Sequence, residues 1–292
     1  MTREISEATR TLLLGAQRNE RTEHLIYHRL AARTKDPGNA AVLERIAQSE
    51  LAHDHFWRQY TGQEVAPDRF KAWRYVTIAR LLGLTFAIKL MERGEVQAQE
   101  VYGRVAQEIP EAQRIVEDED AHEHELIAML DEESLRYVGS MVLGLSDALV
   151  ELTGALAGLT LAMQNTRLIG TTGLITGIAA SLSMAASEFL STQSQEDEQE
   201  PLKASLYTGA AYVLTVVLLI LPYWLVSSYL AALGITLAIA VLIILGFTYY
   251  LSVARDLPFR RRFLQMAGIS LGVAVLSFGI GFVVRQVFGF EV

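Results

Sequence analysis

The second half of this chain is a series of apolar stretches, and this feature constrains its fold more than any other. Five stretches are at least as long as the roughly 20 residues that a helix needs to cross the hydrocarbon core of a bilayer. They lie at about 138–163, 168–190, 204–226, 229–254 and 263–288. We therefore expect residues 136–292 to form a five-helix transmembrane domain embedded in a lipid bilayer.

Residues 1–135 have the opposite character. They contain all six histidines and 24 of the 33 acidic residues. The sequence has no basic patch of the kind that would indicate binding to nucleic acid. Because the chain has no cysteine, a thiolate metal site is excluded, and any metal ligands must be carboxylate, imidazole, carbonyl or thioether groups.

The first half carries the pattern of amphipathic helices, with apolar residues at three- and four-residue spacing. The predicted helices are 4–33, 39–60, 73–107 and 110–134. Pro37 and Pro110 stand at two of the breaks between them. The predicted fold is all-α, a four-helix bundle followed by the membrane domain. The run Tyr75–Leu90 is too short to span a bilayer, and we expect it to be a buried or a membrane-docking helix.

Two Glu-x-x-His motifs, Glu50 with His53 and Glu119 with His122, lie on the second and fourth predicted helices. Residues three apart share one face of a helix, so each motif directs a carboxylate and an imidazole to the same place. Bundles that hold two metal ions combine two such helices with a glutamate from each of the others. The glutamates available for those positions are Glu20 on the first helix and Glu92 and Glu95 on the third.

The order of these ligands along the chain resembles the di-iron domain of the ferritin-like superfamily, and most closely rubrerythrin. Tyr27 follows Glu20 by seven residues, and Tyr102 follows Glu95 by seven. The resemblance implies that residues 1–135 are a rubrerythrin-type domain that binds two iron ions. The ligand types by themselves leave manganese or zinc open.

Charged residues within the apolar stretches are few, and such residues are normally retained for function because they are costly in lipid. Asp147 and Glu151 lie four residues apart in the first stretch and continue into Gly154 and Gly158. The second stretch has a similar stripe, formed by Gly173, Gly177, Ser181, Met184 and Glu188. We expect the two stripes to face each other, another subunit, or both. Their carboxylates and thioether would then line an ion pathway.

The segments GLSDALVELTG at 144–154 and SMAASE at 183–188 resemble the vacuolar iron transporter family. The resemblance implies a homodimer with the pathway between subunits, in which Asp147, Met184 and Glu188 match positions of the family. We add Glu151 to this pathway because it lies four residues from Asp147 on the same stripe. The resemblance also implies export of ferrous iron, or of manganous ion, from the cytosol by antiport against protons. Eukaryotic members have a metal-binding domain between spans two and three, where this chain has a short connector. The whole chain resembles fusions of the membrane-bound ferritin, or erythrin–iron-transporter, type.

The orientation follows from the loop between the fourth and fifth stretches, where Arg255, Arg260, Arg261 and Arg262 lie. The positive-inside rule places this loop in the cytoplasm. The start of the chain carries acidic residues and shows no signal peptide. We therefore expect a multi-pass protein of the inner membrane with a cytoplasmic N-terminal domain and an external C-terminus.

Two alternatives stay open. The chain could be a membrane-anchored di-iron oxidase or peroxidase whose spans serve only for location, in which case the di-iron site is catalytic. It could also be a manganese exporter of the same architecture, because carboxylate ligands do not distinguish the two metals.

Overall fold

The structure is a computed structural model that describes residues 5–91, 93, 105, 108–129, 137–194 and 200–288. The chain divides into two compact units, Met1–Glu132 and Glu133–Val292. Throughout the described residues the regular secondary structure is helical, which confirms the all-α prediction.

In the described part of the first unit, three helices begin directly after a residue whose side chain caps the helix N-terminus. Ser6, Asp36 and Asp68 each accept a hydrogen bond from the backbone N–H three residues further on, a pairing that satisfies an otherwise unbonded N–H of the first turn. The helices are α1 (Glu7–Ala31), α2 (Pro37–Thr61), α3 (Arg69–Leu82) and α4 (Gln113–Met129), and a 3₁₀ turn at Pro110–Ala112 precedes α4.

The third helix differs from its prediction. It begins at Arg69 rather than at residue 73, and it ends at Leu82. The cause is Gly83, whose φ of 95° lies in the region that glycine adopts readily and other residues avoid. The helical conformation resumes at 84–91. The remainder of the predicted helix lies mostly outside the described residues.

The core of the first unit forms where α1 packs against α2. Leu13 and Trp57 are fully buried in one apolar cluster, and Ile26 and Ile46 are fully buried in another. Burying a large apolar side chain contributes roughly 1.5–3 kcal/mol to folding, so these clusters fix the positions of the two helices. The polar residues that lie between them are therefore held in place.

The second unit contains five helices, among the described residues, that are long and apolar enough to cross a membrane. This confirms the predicted five-helix membrane domain. They are α5 (Val138–Met163), α6 (Thr166–Ser194), α7 (Pro201–Leu225), α8 (Tyr229–Ala254) and α9 (Phe259–Phe288). The helical conformation satisfies their backbone hydrogen bonds internally, as the interior of a bilayer requires.

The small-residue stripes do not face each other as expected. A methyl group at Gly158 of α5 would lie 3.0 Å from the carbonyl oxygen of Ser277 in α9. A methyl group at Gly177 of α6 would lie 2.7 Å from the side chain of Val216 in α7. At Gly173 of α6 the nearest atom belongs instead to Leu156 of α5, at 2.7 Å. The stripes therefore allow close approach to more than one helix, which is the packing role of small residues in membranes. Whether a second subunit also contacts them stays a prediction.

Candidate functional site

A buried cluster of carboxylates and an imidazole lies between α1, α2 and α4. Glu20, Glu50, His53 and Glu119 each place one ligand atom within 4.8 Å of all the others. Glu20, Glu50 and His53 are almost completely buried, and Glu119 is only slightly exposed. The consecutive helices α1 and α2 and the more distant α4 thus bring four of the predicted metal ligands together, and such a group could bind a metal ion.

The two Glu-x-x-His motifs are arranged reciprocally. The Nδ1 atom of His53 lies 3.2 Å from Glu50 Oε2 and 3.2 Å from Glu119 Oε1. The Nδ1 atom of His122 lies 3.1 Å from the other oxygen of Glu50 and 3.9 Å from the other oxygen of Glu119. Each carboxylate therefore directs one oxygen toward each imidazole. Such an arrangement could hold a metal ion among the four side chains.

The geometry of these contacts is better suited to metal binding than to hydrogen bonding. The atoms Glu119 Oε1 and His122 Nδ1 are buried and form no hydrogen bond among the described residues, although each lies close to an oppositely polar atom. A buried polar atom without a hydrogen bond is costly. A cation among them would use the lone pairs that hydrogen bonds leave unused, so the residues present fit a metal site.

The electrostatics of the cluster indicate a shortage of positive charge. Burial raises the pKa of Glu119 to about 8 and raises that of Glu50 well above its usual value. Burial alone would lower the pKa of His53, but the nearby carboxylates of Glu119, Glu20 and Glu50 outweigh it and raise this pKa. Burial lowers the pKa of His122. A bound divalent cation would neutralise these carboxylates in place of protons.

Two further residues support the cluster, and the sequence analysis did not assign them. Trp57 is fully buried and donates an indole N–H to Glu20 Oε1 at 3.1 Å. Asp118 places a carboxylate oxygen 3.4 Å from Nε2 of His53. A carboxylate at the second ring nitrogen typically orients a histidine ligand. The four-residue spacing of His53 and Trp57 could have revealed the first of these, because it places both on one helical face.

The predicted third-helix ligands, Glu92 and Glu95, lie outside the described residues, as does Tyr102. Tyr27 is described and is buried in the core between α1 and α2. The described structure therefore places five of the seven predicted ligands, Glu20, Glu50, His53, Glu119 and His122, around one position.

In the second unit, two of the predicted pathway residues, Asp147 and Glu151, share a partner, whereas Glu188 and Met184 have partners of their own. Glu151 accepts a hydrogen bond from the hydroxyl of Tyr212 at 3.2 Å, and Asp147 lies beside the same two groups. Glu188 accepts a hydrogen bond from Ser140 at 2.5 Å. Met184 is partly buried and packs against the apolar core of the unit. Within one chain these contacts do not gather Asp147, Glu151, Met184 and Glu188 into a single site.

The partners on α7 were not identified from the sequence. Tyr212 is fully buried in α7, and Thr208 donates a hydrogen bond to the backbone carbonyl of Ser140 at 3.0 Å. Thr208, Tyr212 and Thr215 follow each other at four- and three-residue spacing, and all three are buried. This stripe of hydroxyl side chains in an apolar span is the sequence signal that could have identified the partners on α7.

Comparison with known proteins gives one family match. A family model described as the VIT family matches residues 138–201, which comprise α5, α6 and the first residue of α7. No curated protein matches the chain. The match supports the resemblance of the membrane unit to vacuolar iron transporters, and it indicates a membrane transporter of metal ions. It lies wholly within the second unit and does not bear on the first.

Proposed function

We propose that the protein exports ferrous or manganous ion from the cytosol in exchange for protons. The first unit would be a cytoplasmic, ferritin-like domain of the rubrerythrin type that captures, senses or delivers the metal. The observation that carries the proposal is the pair Asp147 and Glu151, which lies in an apolar span within the region that matches the VIT family.

Their own chain covers these two acids only in part. On α5, Asp147 is partly exposed and Glu151 is exposed. A charged side chain facing lipid at the centre of a span costs about 2.5–3.5 kcal/mol on insertion scales, and a single hydrogen bond from Tyr212 offsets only part of it. We infer that a second copy of the chain covers this face, so that the ion pathway lies between the subunits of a homodimer.

Carboxylates in such a pathway provide a route to antiport. A divalent ion is attracted by ionised Asp147 and Glu151, and it leaves more readily once the acids are protonated. Protons taken up from the opposite side would therefore accompany each release of metal. Met184 would contribute a soft thioether ligand, which distinguishes transition metals from magnesium and calcium.

In the first unit, Glu50, Glu119, His53 and His122 would hold the iron. Glu20 would complete the site from α1, where the indole of Trp57 orients its carboxylate. When bound, iron supplies one-electron redox chemistry. The surplus of buried carboxylate is what makes the site attractive to cations, which supports a role in capture.

The test is ferrous-ion flux into sealed proteoliposomes under an imposed proton gradient, without oxygen. We expect Asp147→Asn to abolish flux and Ser146→Ala, its neighbour on another face of α5, to retain it. A variant with Glu50→Ala and His53→Ala would report whether the first unit controls transport. Competition with manganous ion would establish the selectivity.

Equal flux in Asp147→Asn and the intact protein would refute the proposed pathway. If the intact protein moves no ion under any gradient but consumes oxygen or peroxide with ferrous iron, a membrane-anchored oxidase or peroxidase replaces the transporter. The buried cluster of the first unit is the observation that keeps this second function under consideration.

A further inference from the structure

Helix α3 presents large apolar side chains to solvent. Phe70 is 69% exposed, Trp73 is 58% exposed and Leu81 is 74% exposed. The rings of Phe70 and Trp73 stack on each other with centroids 5.9 Å apart. Isolated exposed apolar residues are normal on a protein surface, but a contiguous group of aromatic and aliphatic side chains indicates an interaction site.

The same helix is strongly basic. Its 14 residues include no aspartate or glutamate. Arg69, Arg74 and Arg80 are exposed together with the apolar residues. At 3.6 residues a turn, these six residues fall within an arc of roughly 140°. We call this surface, formed by Arg69, Phe70, Trp73, Arg74, Arg80 and Leu81, the aromatic–basic face.

The opposite side of α3 is the side that folds into the unit. Ala72 and Tyr75 are buried in the core that α1 and α2 also form. Lys71 places its ammonium group 3.6 Å from the buried carboxylate of Glu23 on α1. The helix is therefore anchored from behind, so the aromatic–basic face is not needed to hold the unit together.

The composition of the face matches an anionic membrane surface. Tryptophan and phenylalanine favour the boundary between headgroups and acyl chains, and arginines beside them attract anionic headgroups. The five spans already hold the chain at a bilayer, so the surface is present at high effective concentration.

We propose that α3 docks on the anionic lipid surface of the membrane through the aromatic–basic face. Phe70, Trp73 and Leu81 enter the headgroup boundary, and the three arginines bind lipid phosphates. The proposal depends on the chain being a membrane protein and not on which ion it transports.

The absence of cysteine from the chain allows a site-specific test. Leu81→Cys would introduce a single thiol on the face for an environment-sensitive fluorophore, and Gln59→Cys on an exposed position of α2 is the matched control. Each labelled full-length chain would be placed in nanodiscs of phosphatidylcholine, with or without phosphatidylglycerol. We expect a blue shift at residue 81 in the anionic discs, and no shift at residue 59.

Charge and aromatic variants separate the two contributions. Changing any one of the arginines to glutamine should lower the equilibrium constant for docking on anionic lipid roughly fivefold. Added salt should also weaken the docking. Phe70→Ser with Trp73→Ser should abolish the shift at any charge. Identical emission in both lipids would overturn the proposal. A blue shift that appears only in nanodiscs holding two copies of the chain would also overturn the proposal, because a second chain would then be the partner.

Discussion

Replacing Glu119 by glutamine is expected to stabilise the metal-free first unit while weakening its metal binding. Burial raises the pKa of Glu119 from 4.5 to about 8. The folded protein therefore keeps a proton that the unfolded chain releases, and stability falls as the pH rises between these two values. Glutamine does not titrate, so it removes this loss.

The magnitude follows from the size of the pKa change. Between pH 4.5 and pH 8, each pH unit lowers the free energy of unfolding of the protein with Glu119 by about 1.4 kcal/mol. The gain in this free energy from glutamine is therefore about 3 kcal/mol at pH 7. It reaches a plateau of about 5 kcal/mol above pH 8, where the folded protein also releases the proton. Near pH 4.5 the two proteins should have equal stability. The same glutamine lacks a charged oxygen for a metal, so binding should weaken under all these conditions.

Hydrogen exchange of the amides in α2 (Pro37–Thr61), measured on the full chain in detergent with a chelator, would report the local free energy of opening. Glu117→Gln is the matched control, because Glu117 is exposed on the same helix as Glu119. The reasoning is refuted if Glu119→Gln changes stability by the same amount at pH 5 and pH 8, or if it destabilises α2 at both.

Three further outcomes are expected. Gly144→Ala should lower the stability of the membrane unit by about 1–3 kcal/mol, because the added methyl group would meet the backbone of α7. Gly246→Ala should leave the stability unchanged, because the space around Gly246 is open. Thermal unfolding in detergent compares the two variants. Tyr212→Phe removes the hydrogen bond to Glu151 of α5. It should reduce ion flux about tenfold without loss of folded protein. Unchanged flux would contradict the proposed pathway. Ferrous or manganous ion at 100 times its dissociation constant should stabilise the first unit by about 2.7 kcal/mol in hydrogen exchange, and His53→Ala should lose most of that gain.

Much of the membrane unit could be predicted because the constraint on it is one-dimensional. A span must be apolar over a length set by the bilayer, and the predicted first and fourth spans coincide with α5 (Val138–Met163) and α8 (Tyr229–Ala254). The pattern of small residues was also visible, but its partners were not. Spacing along a helix identifies a face and says nothing about which neighbour that face meets.

The candidate metal site shows the same division. The spacing of Glu50 with His53, and of Glu119 with His122, is enough to predict that each pair projects from one helical face, because the helical repeat places residues three apart on one side. The division of each carboxylate's two oxygens between the two imidazoles is visible only in the folded unit. That division depends on how α1, α2 and α4 pack against one another, and no local spacing contains that information. The break of the third helix at Gly83 is different, because its cause is the local backbone conformation of a glycine.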